Sequence, residues 1–189
     1  MKAYTIEFKV DDSLPSKITS HFTNTGYSHT GGAFQDEHNN WYYAELDGWQ
    51  KKPYTIRRIK SLDDFLKSNK KMVAFKLPYE FDDLEMFALK LWWLDKREKN
   101  YPYGWLKLTS FMFWKPLYNF ALKHYEKTGK VYKPILGNWI KKEMVCSVAW
   151  DKSLKEACHY DCFPELDEDM IVPGCWANDN KFKRYRSKK

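Results

Sequence analysis

One thiol stands where chemistry could begin. Cys146 opens a stretch in which Ala149, Trp150, Ser153, Leu154 and Ala157 recur at three and four residues, so they share a helix face with the cysteine and that face should turn inward. A sulfur in the first helical turn feels the positive end of the helix dipole, and with a cationic neighbour its pKa can fall from about 8.5 to roughly 3.5–7.5. Such a thiolate is a nucleophile for acyl transfer. It needs a base that also serves, once protonated, as its counter-ion, and histidine suits both tasks.

The chain has five histidines. His38 lies in a polar turn, and His21 lies on a short helix bounded by polar residues. His124 sits on an apolar helix face, the ordinary setting of a hydrogen-bonded core imidazole. His159 is thirteen residues past Cys146 on what reads as the same helix, about 20 Å away at 1.5 Å per residue. His29 remains, on a strand beside the small residues Ser28 and Gly31. A catalytic imidazole is normally fixed by a third group. Glu45, on the strand expected to pair with that of His29, is a carboxylate among Trp41, Tyr42 and Tyr43. It is either the partner of His29 or a solvent-facing side chain on an edge strand.

These residues must be positioned by a mixed framework. Tyr4, Ile6, Phe8 and Val10 alternate as an opening strand, and residues 15–22 read as a short helix ending near Gly26. Residues 27–34 and 41–46 form a hairpin around the polar turn 35–40. Residues 54–59 and 72–77 are further strands, separated by a short helix opened by Ser61. A longer helix over 82–96 should bury Leu84, Phe87, Ala88, Leu91 and Leu94. Another, from Pro116 to Gly129, stacks Leu117, Phe120, Ala121 and His124. The expected class is α+β, a mainly antiparallel sheet with helices packed on it.

With 189 residues, 43% of them apolar and 18% aromatic, the chain suits one folded domain, taken as residues 1–180. Aromatic side chains in this number fill cores and also line clefts for flat or acyl ligands. Six of the 32 basic residues fall in 181–189, which has no acid, leaving 26 basic against 25 acidic elsewhere. That segment reads as a solvated basic tail able to touch nucleic acid or a membrane surface. The opening ten residues lack a signal peptide's apolar core, and no run approaches the ~18–20 apolar residues of a membrane span, so a cytoplasmic protein with reduced thiols is expected. Cys158, His159, Cys162 and Cys175 include zinc-ligand types, but their spacing matches no standard pair-of-pairs pattern, and no cofactor or metal is expected.

Several segments together resemble a known family. Residues 27–32 (Tyr-Ser-His-Thr-Gly-Gly), the later strand with Glu45, residues 144–149 (Met-Val-Cys-Ser-Val-Ala), and residues 171–176 (Ile-Val-Pro-Gly-Cys-Trp) with Phe182 beyond look like the circularly permuted NlpC-type papain-like amidohydrolases of the YiiX type. The resemblance covers about 1–60 and 135–183 and leaves 61–134 as a helical, insert-like region. Two positions depart from the family's pattern, Val148 where an acid is frequent and Val172 where Thr often precedes the proline. The resemblance implies a papain-like fold with Cys146 as nucleophile, His29 as base and Glu45 as orienting group. The implied activity is hydrolysis of an amide (peptide, isopeptide or N-acyl) or a lipid ester through a thioester. A papain-like scaffold that binds without catalysing, contacting nucleic acid or a membrane through the tail, is the competing expectation.

Overall fold

A computed structural model describes residues 1–23, 25–104, 114–133 and 144–186. Strand β1 (Ala3–Lys9) leads into helix α1 (Leu14–Thr23), the hairpin β2 (Tyr27–Gln35) and β3 (Trp41–Leu46), and then β4 (Tyr54–Ile59). Helix α2 (Leu62–Ser68), strand β5 (Met72–Lys76) and helices α3 (Asp83–Lys99) and α4 (Trp114–Thr128) follow. The chain closes with α5 (Cys146–Cys158), a 3₁₀ turn at Glu168–Met170, α6 (Cys175–Asn178) and β6 (Lys183–Arg184). The six strands form one sheet in the order β4-β3-β2-β1-β5-β6, and every strand pair is antiparallel. The architecture is α+β.

Alternation along each strand sorts side chains onto two faces. Phe34, Ala44, Leu46, Ile56, Val73 and Phe75 form the main core with Trp93 of α3 and Trp150 of α5. Tyr4, Ile6, Ala33, Tyr43 and Ala74 line the other face with Leu62 of α2. Glycine decides how closely α5 can approach. A Cβ on Gly32 would sit 2.0 Å from Trp150 Cζ3, so the indole occupies the space a side chain would take. Its Nε1 donates to Thr5 Oγ1 at 2.8 Å, which locks helix to strand.

Local signals set the helix ends. Ser61 caps α2 by accepting from the Asp64 N–H, and Asp82 with Glu85 forms a capping box on α3. Helix α5 ends at His159, which takes a left-handed conformation (φ 52°) and therefore stands at the cap rather than on the helix.

The structure differs from the sequence reading in three places. On α3 the buried residues are Met86, Leu89 and Trp93, while Leu84, Phe87 and Leu91 face outward. Both stripes are apolar, and the one carrying Trp93 supplies the bulk that fills the space over β4. Residues 61–134 are not a separate insert, because β5 lies beside β1 within the sheet. Nor is 181–189 wholly a free tail: Lys183–Arg184 is β6, Phe182 is 4% exposed, and the Tyr185 hydroxyl donates to Asp63. The helix expected over 116–129 spans Trp114–Thr128, starting two residues before Pro116; the Pro116 side chain and residues 187–189 lie outside the described residues.

Candidate active site

His29 and Glu45 meet because of strand register. Gly31 pairs with Glu45 across β2 and β3, so His29, two residues before Gly31, lies on the same face and diagonal to the carboxylate. Gly31 has no side chain to intervene. A Cβ there would lie 2.6 Å from the Tyr43 hydroxyl and 2.9 Å from the Ala44 carbonyl oxygen. Into that space reach His29 Nε2, 2.9 Å from Glu45 Oε2, and the Tyr43 hydroxyl, which donates to the same oxygen at 2.7 Å. The imidazole side chain is 23% exposed and the carboxylate 15%. β3 is an interior strand, so the reading of Glu45 as a solvent-facing residue on a sheet edge does not hold.

Electrostatics follow from this packing. Burial opposes ionisation of Glu45, but hydrogen bonds from His29 and Tyr43 and the nearby Arg57 guanidinium bring its pKa below the ordinary value. Arg57 lies over the Tyr43 ring, 5.6 Å from its centroid. For His29, burial again opposes the charged form, yet the Cys146 sulfur and Glu45 together hold its pKa well above the ordinary value. Cys146 thus acts on His29 as an electrostatic neighbour that favours the imidazolium. Nε2 is committed to Glu45, which leaves Nδ1 as the nitrogen not engaged by the carboxylate.

Cys146 is the first residue of α5, and Val145 before it provides no side-chain cap. The first-turn N–H groups therefore have no intrahelical acceptor. The helix start is held from the side. Ser147 Oγ donates to the Ile171 carbonyl at 2.7 Å, Thr25 Oγ1 donates to the Pro173 carbonyl at 2.6 Å, and the Gly174 N–H donates to Glu7 Oε1 at 2.9 Å. Glu7 is fully buried, and its carboxyl is pushed up by burial to about 8 against the Gly174 and Thr30 hydrogen bonds.

Tyr103 is a group that sequence reasoning missed. Its hydroxyl hydrogen-bonds Cys146, and burial first, then the sulfur's charge, raise the phenol well above its ordinary pKa, so it is a neutral donor. The backbone puts it there: Gly104 N–H donates to the Met144 carbonyl at 2.8 Å, and Gly48 leaves room for the ring. The segment Tyr101 to Gly104 looks from sequence like a helix terminator, and nothing local in it points to residue 146.

The other three cysteines are buried and unbridged. Burial pushes the Cys158 thiol up to about 12 and raises Cys162 and Cys175 as well. Cys158, His159, Cys162 and Cys175 do not converge: among the described residues no group of three or more His, Cys, Asp or Glu could hold a metal ion. Among the same residues no helix is long and apolar enough to cross a membrane. Compared with known proteins, the chain matches no protein-family model and no curated protein.

Proposed function

We propose that the protein is a cysteine hydrolase with a papain-like site of the circularly permuted NlpC type, cleaving an amide or ester bond through a thioester. The observation that carries this reading is the hydrogen-bonded series Tyr43, Glu45, His29, with the Cys146 sulfur close enough to help raise the His29 pKa and seated at an uncapped helix start. A thiolate at that start attacks the substrate carbonyl, and the negative oxygen is received by the Cys146 N–H with the Tyr103 hydroxyl as a second donor. His29, protonated and held by Glu45, gives its proton to the leaving group. It then takes a proton from the water that attacks the thioester carbon, releasing the acid and restoring the thiolate beside the protonated imidazole. No cofactor enters this scheme. The alternative, a non-catalytic module binding nucleic acid or membrane through a basic tail, loses part of its motivation because residues 182–185 are built into the fold.

The test is labelling with acyl-type electrophilic probes followed by mass spectrometry. Cys146 is expected to react in preference to Cys158, Cys162 and Cys175, whose thiols burial holds protonated. Replacing His29 with Ala should slow that reaction by about 100-fold or more, the usual contribution of a positioned acid–base group. Even labelling of all four thiols, or indifference to His29→Ala, would overturn the proposal.

A further inference from the structure

A cleft of about 280 Å³ opens from His29, Glu45 and Tyr103, just below the ~300–1,000 Å³ range of ligand pockets. Cys146 is not on its wall, and the sulfur reaches it through its partners His29 and Tyr103. The walls mix hydroxyls, with Ser13, Ser16 and Thr19 from the α1 side and Ser28 beside His29, and the aromatic rings of Phe8, Trp49 and Tyr103. The hydroxyls of such a lining hydrogen-bond a polar group.

Lys9 and Lys71 also line the cleft, and strand register explains where their backbones lie. Phe8, His29 and Met72 share one rung across β1, β2 and β5, Lys9 is the next residue outward on β1, and the carbonyl of Lys71, just before β5, accepts from the Lys9 N–H at 3.0 Å. Strands lie about 4.8 Å apart, so both lysine backbones fall within roughly 5–10 Å of His29. The register shifts between Phe8 and Lys9, an irregularity that interrupts the alternation where Lys9 joins the cleft wall. Three acids, Asp11, Glu45 and Asp47, line the same cleft, each accepting hydrogen bonds from nearby donors. Asp11 Oδ1 accepts from both the N–H and the hydroxyl of Ser13, while Asp47 accepts from Trp49 N–H and Gln50 Nε2. Among the described residues Lys9 and Lys71 form no ion pair within 4.0 Å, although Asp11 lies in the field of Lys71.

His29 fixes which side of the scissile bond this cleft serves. The imidazole protonates the leaving group, so the group that passes His29 into the cleft is the departing one. We infer that this cleft is the leaving-group subsite and takes a small polar group ending in a free carboxylate, held by Lys9 and Lys71. The substrate is then an N-acylated amino acid or a short peptide, rather than a lipid ester. This rests on the hydrolase reading for its chemistry but makes a claim about binding that chemistry does not enter.

Calorimetric titration of the Cys146→Ala protein with N-acetyl-alanyl-alanine, its C-terminal carboxamide and N-octanoyl-ethanolamine tests it. The acid should bind about tenfold more tightly than the carboxamide, the range two partly exposed ion pairs supply, and the advantage should shrink with added salt. In the background of Lys9→Gln with Lys71→Gln the ratio should fall to about one, with an unchanged melting temperature showing that the fold is intact. Equal affinity for acid and carboxamide, no binding of the acid, or preference for the octanoyl amide would overturn the assignment. An acid preference without selective Cys146 labelling would leave the subsite standing and remove the hydrolase. Selective labelling with no acid preference would do the reverse.

Discussion

Glu45 accepts on one oxygen from both His29 and Tyr43, so an amide in its place changes the charge beside the imidazole and one of the two donors it can satisfy. The carboxylate helps to hold the His29 pKa well above its ordinary value; removing that charge lowers it. The imidazolium needed to protonate the leaving group is then lost at lower pH. Glu45→Gln should therefore move the basic limb of the kcat/KM profile toward lower pH and reduce its plateau roughly 10- to 100-fold, as measured across a pH series. Tyr43→Phe removes a donor from Glu45 and lets its pKa rise, so the acid limb should shift upward with a smaller loss of rate. Of this chain of groups, His29 and Glu45 are legible in the sequence because a hairpin makes sequence distance predict spatial distance. The Tyr43 hydroxyl and the Arg57 charge behind it are not, since an aromatic in a strand reads first as core. Tyr103 is further removed still, placed by a backbone contact to Met144 that no periodicity announces.

Two adjacent glycines serve different elements. Gly31 opens the site face to the Tyr43–Glu45–His29 contact, whereas Gly32 on the opposite face admits the α5 indole. Gly32→Ala forces the buried Trp150 ring and its bond to Thr5 to move, a clash of the overpacking kind that costs about 1–3 kcal/mol or more, readable from the denaturant midpoint. Glu7 anchors the turn that braces α5, and its pH behaviour follows from its raised pKa of about 8 against an ordinary 4.5. The folded protein keeps a proton that the unfolded chain releases over this window. Stability from Glu7 is therefore complete below about 4.5 and is lost as pH rises through about 8. Glutamine can accept from Gly174 and donate to Thr30, so Glu7→Gln should gain on the parent protein as pH climbs from about 5 to about 9, with little difference at the acid end. Element type is largely visible in the sequence, because alternation and capping residues are local. The buried face of α3 is not, because Leu84, Phe87 and Leu91 form as regular a stripe as Met86, Leu89 and Trp93, and only the sheet chooses between them.

At the scale of the whole molecule, composition hides what topology decides. Trp93, Trp150 and Trp176 are fully buried, so at least these aromatic side chains serve the core rather than a ligand platform. The cluster of basic residues at 181–189 conceals a strand: Phe182 packs against Phe163 and Trp176, and the Tyr185 N–H donates to the Ala74 carbonyl at 2.8 Å. Deleting 181–189 thus removes a buried ring along with the charge. Loss of a core phenylalanine alone costs about 3–5 kcal/mol, so the truncated protein should melt far below the parent, and loss of activity on truncation would follow from loss of the fold. Lys183→Glu with Arg184→Glu separates the two effects, because both side chains are exposed on β6. Melting should change little, within about 0.5 kcal/mol each. If cleavage at Cys146 is the activity, turnover should survive this charge reversal, whereas a phosphate-binding tail would lose its affinity. A charge-reversed protein that melts normally yet fails to turn over substrate would place the function at the β6 edge and not at the Cys146 helix.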